Sequence, residues 1–366
     1  MPRYHTNMIP WVRLLRDQGR EAFLHVQRKG GSEDYSLLEP ELVEPSRWST
    51  SFGRRLKHRA DPDFYSAPPL REYAATMARI DPDVVVVRGL SRWFCRTAAL
   101  IAKIQGRRVV VYDQEDPLPP PRSSTRLRRT VSRAAGFTCV TARVPDPHSL
   151  QRGPGFARTL PFGAPTNSAA MVRAAKQRIM TAEGPPRILM VAKYRSRKGH
   201  KRLIEALAPF ASTYDFSLTF CGEEVTEADR ELRREIETAV NDADLSARVA
   251  FRSGLRQSEM AQLYSQHDIF VLPSTNEPAA VSPLEAAWHG CVPLVDRRSG
   301  TRHYLPPSED FEFDAAKPAD IAAAIAPLLG DSAAMQTARL SATTHIARIA
   351  GDAEVKLALE QLVASR

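Results

Sequence analysis

Short apolar runs and helical repeats alternate along the second half of the chain. The run RILMVAK (187–193) reads as a buried strand, and Leu203, Ile204, Leu207 and Phe210 then recur at the spacing of a helix with one apolar face. FSLTFCG (216–222) is strand-like. Leu232, Ile236 and Val240 outline a further helix, for which Thr226 is the expected N-cap. The series continues as a strand in RVAFRSG (248–254), a helix over 257–266, a strand in DIFVLPS (268–274), a helix over 283–290 and a strand in VPLVD (292–296). Strictly alternating strands and helices predict an α/β fold with a parallel sheet covered on both faces. The strands are nearly continuous apolar runs rather than alternating ones, as a doubly covered sheet requires.

The first half repeats the pattern less regularly. Met8, Trp11, Val12 and Leu15 predict a helix that Gly19 ends, and AFLHV (22–26) a strand. DVVVVRG (83–89), RRVVVYD (107–113) and FTCVT (137–141) predict further strands with helices between them. A sheet of this kind normally opens with a strand. Here only Met1-Pro2-Arg3 precede the YHTN turn, so either that strand is a stub or the protein begins upstream. Pro and Gly cluster over 153–165, and a basic helix follows near 169–180. The expected organisation is therefore a domain over 1–165, a linker over 166–184, a second domain over 185–350 and a C-terminal helix over 351–366.

Composition changes this picture little. A chain of 366 residues that is 43% hydrophobic and 25% charged fits two soluble domains with cores of their own. Cys95, Cys139, Cys221 and Cys291 stand far apart, which argues against a disulfide framework or a zinc site and for reduced thiols in a cytosolic protein. No run approaches the roughly 18 apolar residues of a membrane span. Charge is more informative. Residues 1–183 hold 30 Lys and Arg against 17 Asp and Glu, a net +13, and the remainder is at −4 within the whole-chain +9. A basic half of this kind is expected to face something anionic, either nucleic acid or a phospholipid surface.

Ligands of open α/β sheets bind where strand carboxyl ends meet helix starts. Two stretches of the second half have suitable side chains there. In VAKYRSRKG, Lys193 ends a strand and Lys198-Gly199 opens a helix, an arrangement suited to a diphosphate; the alternative is a solvated basic turn. In NEPAAVSPLEAAWHG (276–290), Glu277 follows a strand and Glu285 lies in the first turn of a helix. Backbone N–H groups of Val281, Ser282 and Leu284 are available to an anion, and Glu285 is a bidentate acceptor for vicinal hydroxyls such as those of ribose. The competing explanation is structural: Ser282-Pro283-Leu284-Glu285 has the form of a capping box. Glu277 is placed to hold the hydroxyls of a second sugar ring. Cations, a helix start and two hydroxyl-binding carboxylates together fit a nucleotide-diphosphate sugar.

With these residues in view, the stretch from 187 to about 330 resembles the C-terminal domain of retaining family-4 glycosyltransferases of the GT-B fold, also grouped as glycosyl transferases group 1. VAKYRSRKGHKRLIEAL resembles their diphosphate-binding turn. FRSGLRQSEMAQLYSQHD and DIFVLPSTNEPAAVSPLEAAWHGCVPLV resemble the segment leading into and containing their paired glutamates. The resemblance implies two facing Rossmann-like domains with a cleft between them. It also implies an acceptor-binding N-terminal domain and a last helix that crosses back to it. It assigns sugar contact and catalysis to Glu277, ribose to Glu285, and the diphosphate to Lys193 and Lys198, which share the catalytic work by stabilising the leaving group. It implies transfer with retention of configuration to a glycan or lipid-linked acceptor in cell-surface polysaccharide or glycolipid synthesis. A nucleotide sugar is then the co-substrate, and neither a metal nor another cofactor is required. The alternatives are an inverting transferase, a sugar-nucleotide epimerase and a non-catalytic sugar-nucleotide-binding protein.

Three departures accompany the resemblance. Lys193 stands where the family has Arg, losing the planar fork. Ala279-Ala280 replace Phe-Gly. VVVYDQED lacks the family's histidine, so its sugar contact falls to Asp113 or Gln114, with His5 of the YHTN turn as an acceptor-binding candidate. Asp61-Pro62-Asp63 and Asp81-Pro82-Asp83 resemble metal-binding D-x-D, but Pro between the acids reads as a turn. SFGRRLKHR (51–59) and RSSTRLRRTVSR (122–133) are basic. The second has no interleaved aromatics, which argues against nucleic acid and for an anionic membrane surface on the cytoplasmic side.

Overall fold

The computed structural model describes residues 8–27, 39–56, 65–113, 134–142, 158–275, 277, 279–364. Contact clustering divides it into two compact units. One comprises mainly residues 162–354; the other joins most of 4–161 to the segment from Val355 onward.

In the N-terminal unit the elements are α1 (Ile9–Asp17), β1 (His25–Val26), β2 (Glu41–Leu42), α2 (Arg47–Leu56), α3 (Leu70–Ile80), β3 (Val84–Arg88), α4 (Trp93–Ile104), β4 (Arg108–Asp113), β5 (Thr138–Thr141) and β6 (Arg158–Thr159). The last four strands pair in parallel in the order β3-β4-β5-β6. Tyr73, Met77, Ala99, Ala102, Val109 and Val111 form the core between this sheet and helices α3 and α4. The run expected as a strand over 22–26 is ladder-paired only at His25 and Val26, because its partner β2 is equally short. Gly19 follows α1 in the left-handed region, as its position in the sequence suggests.

The second unit carries α5 (Ser168–Met180), β7 (Arg187–Val191), α6 (His200–Leu207), β8 (Ser217–Cys221), α7 (Glu227–Asp242), β9 (Val249–Arg252), α8 (Gln257–Ser265), β10 (Ile269–Leu272), α9 (Ser282–Trp288), β11 (Val292–Asp296), β12 (Glu312–Phe313), α10 (Pro318–Gly330), α11 (Ser332–Ala350) and α12 (Asp352–Ala364). Six parallel strands lie in the order β12-β11-β10-β7-β8-β9. The chain enters in the middle at β7, builds outward through β8 and β9, then returns past its start to β10. That reversal between β7 and β10 is the place where such sheets open a crevice. β10 and β11 are buried at every position, which accounts for their unbroken apolar runs. Thr226 caps α7 as expected, in a reciprocal box with Asp229.

The stretch expected to be a linker, 166–184, holds α5, which is integral to this unit. Its Ala175 and Ile179 are buried, and Arg178 donates to the carbonyls of His267 (3.0 Å) and His289 (2.6 Å). Its exposed basic residues mask this packing in the sequence. The division between units falls earlier, after Pro161. At the other end, α12 begins in the second unit, and its residues from Val355 belong with the N-terminal one. There Glu360 accepts from Gln18 Nε2 at 2.6 Å, and the Val363 carbonyl lies 3.4 Å from Arg108 Nη1.

Candidate active site at the carboxyl ends of β7 and β10

Hydrogen bonds stitch the carboxyl ends of β7 and β10 together. Beyond β7 the chain makes a 3₁₀ turn over Ser196–Lys198, then Gly199 leads into α6 with φ +83°. A Cβ on Gly199 would lie 2.2 Å from the Pro273 carbonyl oxygen, so only glycine allows the turn to come this close to the end of β10. Arg202 Nη2 donates to that same carbonyl at 2.8 Å, and the Thr275 N–H donates to the Arg197 carbonyl at 3.0 Å. Ser282 Oγ donates to the Val191 carbonyl at 3.2 Å, tying the start of α9 to the end of β7.

The basic turn divides its cations among carboxylates. Arg195 pairs with Asp229 at 3.0 Å. Arg197 Nη1 donates to Glu277 Oε2 at 3.0 Å, Ser274 Oγ donates to the same oxygen at 2.9 Å, and Lys198 Nζ also donates to it. Lys193 is exposed, and its charge acts on Lys198. The turn is thus an organised set of ion pairs. The side chains of Lys198 and Glu277 are only 13% and 10% exposed. Burial pulls the Lys198 ammonium below its ordinary pKa against the opposing pull of Glu277. For Glu277 burial acts upward, but the charges of Lys198 and Arg197 outweigh it and hold the carboxyl below the usual range. The loop carrying Glu277 is anchored by Gly300, whose N–H donates to the Glu277 carbonyl at 3.1 Å, and by Thr301, which exchanges hydrogen bonds with both backbone groups of Ala280.

The capping box weighed as the alternative at Ser282–Glu285 does not form. The N-cap of α9 is Val281, no side chain caps the helix, and Pro283 falls one position further in than expected. The Ser282 hydroxyl is committed to Val191, and the Glu285 carboxylate accepts from Tyr264 Oη at 2.8 Å. Leu284 and Ala286, on either side of Glu285, are buried and fix the helix against the sheet. Of the three N–H groups expected to serve an anion, that of Leu284 is spent on the Val281 carbonyl at 2.9 Å. Tyr264 escaped the sequence reading because its pairing with Glu285 crosses from α8 to α9. Arg197 and Ser274 escaped it because a run of basic residues does not show which of them meets a carboxylate.

Two histidines flank these groups and are held neutral. His200 follows Gly199 and stacks on Tyr194 at 5.2 Å between ring centroids; burial, reinforced by Lys198 and Arg202, lowers it to about 3. His289 stacks on Tyr264 at 5.7 Å, and burial with the nearby Arg178 lowers it to about 4. Folded-state values below the unfolded 6.5 mean that the stabilisation is complete above about pH 6.5 and is lost as pH falls toward 4, because the unfolded chain then binds protons that the fold excludes. Each histidine should contribute a slope of roughly 1.4 kcal/mol per pH unit in that window. The melting temperature should therefore fall between pH 6.5 and 5, and His289→Gln should shallow the decline. A melting temperature flat over that range would refute the assignment.

The remaining sequence candidates lie elsewhere. His5, Gln114, the Asp61 and Asp63 pair and the basic segment 122–133 fall outside the described residues, as does the question of a first strand before α1. Asp113 ends β4. Asp81 sits at the C-cap of α3 with φ +53° and its carboxylate pairs with Arg107, a turn role. Among the described residues no cluster of His, Cys, Asp or Glu could hold a metal ion.

Residues 172–343 match the family model described as glycosyl transferases group 1. The matched region spans β7 to β12 and includes Lys193, Lys198, Glu277 and Glu285. Glycogen synthase from Deinococcus radiodurans is 28% identical over 159 residues, covering 43% of this chain and 33% of that protein. A 2-deoxystreptamine glucosyltransferase from Streptomyces kanamyceticus is 27% identical over 184 residues, covering 48% of this chain and 46% of its own length. The chain thus spans about a third to a half of these curated relatives. Among solved structures, Anabaena HepE in complex with UDP-glucose superposes with a TM-score of 0.71 at 13% identity, covering 100% of this chain and 97% of that one. The fold is accordingly the α/β, parallel-sheet GT-B fold of glycosyltransferases.

Proposed function

We propose that the protein transfers a sugar from a nucleotide-diphosphate sugar to a glycan or lipid-linked acceptor, with retention of configuration, in cell-surface polysaccharide or glycolipid synthesis. The observation that carries this reading is the meeting of Arg197 and Lys198, after β7, with Glu277, after β10, at the reversal of the sheet. A diphosphate leaving group gathers negative charge as its bond to the sugar breaks, and the cations of the 193–198 turn are fixed beforehand to receive it. Glu277 serves the sugar hydroxyls as the ring becomes oxocarbenium-like. Glu285, oriented by Tyr264, holds the ribose. On retention, the departing phosphate oxygen accepts the acceptor proton on the same face, so no side-chain base is needed and the turn supplies the charge that a metal would. The names of the relatives, a glycogen synthase and a glucosyltransferase, and the UDP-glucose bound by HepE support the substrate class.

The acceptor is assigned to the N-terminal unit. No helix among the described residues is long and apolar enough to cross a membrane. The net +13 of residues 1–183 is read as docking on anionic lipid at the cytoplasmic face, close to such an acceptor.

A thermal-shift panel of nucleotide sugars with EDTA present tests the reading. At least one should raise the melting temperature and, with an acceptor extract, release its nucleoside diphosphate. Glu285→Gln and Tyr264→Phe should weaken the same shift. Loss of one charged hydrogen bond is worth ~1.5–3 kcal/mol, or roughly tenfold to a hundredfold in donor KM for Glu285→Gln. No response to any nucleotide sugar, or a response that returns only with magnesium or manganese, would sink it.

A further inference from the structure

The groups best placed to bind an anion in the second unit already hold one, and it belongs to the chain. Arg197 Nη1, Ser274 Oγ and Lys198 Nζ converge on a single oxygen, Oε2 of Glu277, as donors converge on a phosphoryl oxygen. All three sit on segments stitched together by Arg202 and Thr275, so the donors keep their places whichever anion they hold. We propose that Glu277 is the resident counter-ion of the diphosphate seat. In the empty protein its carboxylate occupies the position of a phosphoryl oxygen, and an arriving diphosphate exchanges with it.

This inference rests on the nucleotide-sugar reading and gives the first glutamate a second duty. Lys198 is nearly buried, and a buried charge that loses its partner is strongly destabilised. Exchange of one anion for another keeps it paired throughout. Glu277 then competes with every ligand that carries a diphosphate. A nucleotide sugar compensates, because its hydroxyls donate hydrogen bonds to the displaced carboxylate. A nucleoside diphosphate, the product, brings no sugar, so the displaced carboxylate is left beside the phosphates with like charge. The same side chain therefore favours the substrate over the spent product and promotes product release.

Calorimetric titration of UDP, ADP and GDP into the full-length protein and two variants tests the proposal. Whichever diphosphate binds the wild type should bind Glu277→Gln about tenfold tighter, while the preference for the nucleotide sugar over its diphosphate shrinks. Glu277→Asp, which draws the carboxylate back by one methylene while Arg197, Ser274 and Lys198 all remain, should tighten diphosphate binding by about threefold and keeps the test open if Glu277→Gln does not fold. Equal or weaker diphosphate binding in the folded variants overturns the proposal and leaves the nucleotide-sugar reading intact. If none of the three diphosphates binds the wild type or either variant, the nucleotide-sugar reading itself fails, and the proposal with it.

Discussion

Lys198→Ala should lower kcat by about a hundredfold to a thousandfold, the usual cost of losing one preorganised donor to developing negative charge. On the proposed nucleotide-sugar reading the loss should fall on kcat more than on donor KM, because the charge on a leaving diphosphate grows as the bond breaks. Glu277 remains partnered in this variant by Arg197 at 3.0 Å and Ser274 at 2.9 Å, so the loop beyond β10 keeps its anchor and the melting temperature should change little. Lys198→Arg should recover part of the rate, since charge is restored while the compact ammonium is not. Steady-state kinetics alongside thermal melts decide the matter. A Lys198→Ala protein within about threefold of wild-type kcat would remove the lysine from the catalytic machinery.

The second large effect concerns the backbone. Gly199→Ala places a methyl group 2.2 Å from the Pro273 carbonyl at φ +83°. A non-glycine residue in that conformation costs ~1–2 kcal/mol, and overpacking adds ~1–3. For a unit of this size that predicts a drop in melting temperature of roughly 5–15 °C. Activity should fall further than stability, because relieving the clash separates the 195–199 turn from the loop that carries Glu277. Gly254→Ala is the control. It has φ +68° but nothing within 4 Å of the added methyl, so it should show the backbone cost alone. Equal melting temperatures for the two variants would mean that the approach to Pro273 is not tight.

The second half was legible because its signals are local. The strand runs around 187–191, 217–221, 249–252, 269–272 and 292–296 are bounded in the sequence within a residue or two of the ladders, and Thr226 announces the cap of α7 by residue type alone. At the α9 start, Ser-Pro-x-Glu satisfies the composition of a capping box, which is why a purely structural Glu285 stood beside the ribose reading. The geometry of the box was overridden by tertiary demand: Ser282 is needed on the β7 carbonyl and Glu285 on a tyrosine 21 residues away. α5 was assigned to a linker because its polar face is strongly basic and the proline and glycine cluster lies before it, whereas its packing depends on Ala175 and Ile179, two residues that carry little signal alone. Lys198 and Glu277 were each visible as residues. Their pairing, and the third cation Arg197, were not, because contacts between strand ends 79 and 80 residues apart leave no periodic trace.

The division of α12 between the units has a consequence for the order of assembly. The described residues of the 162–354 unit are contiguous, so every strand of its sheet comes from that one stretch. The N-terminal unit, although synthesised first, lacks the partners of Gln18 and Arg108 until Glu360 and Val363 emerge, more than 250 residues later for either contact. Its closing contacts carry the larger loop-closure entropy and the higher contact order. The earlier-made half therefore completes its contacts only once the last helix is made, although its whole parallel sheet precedes the other unit in the sequence.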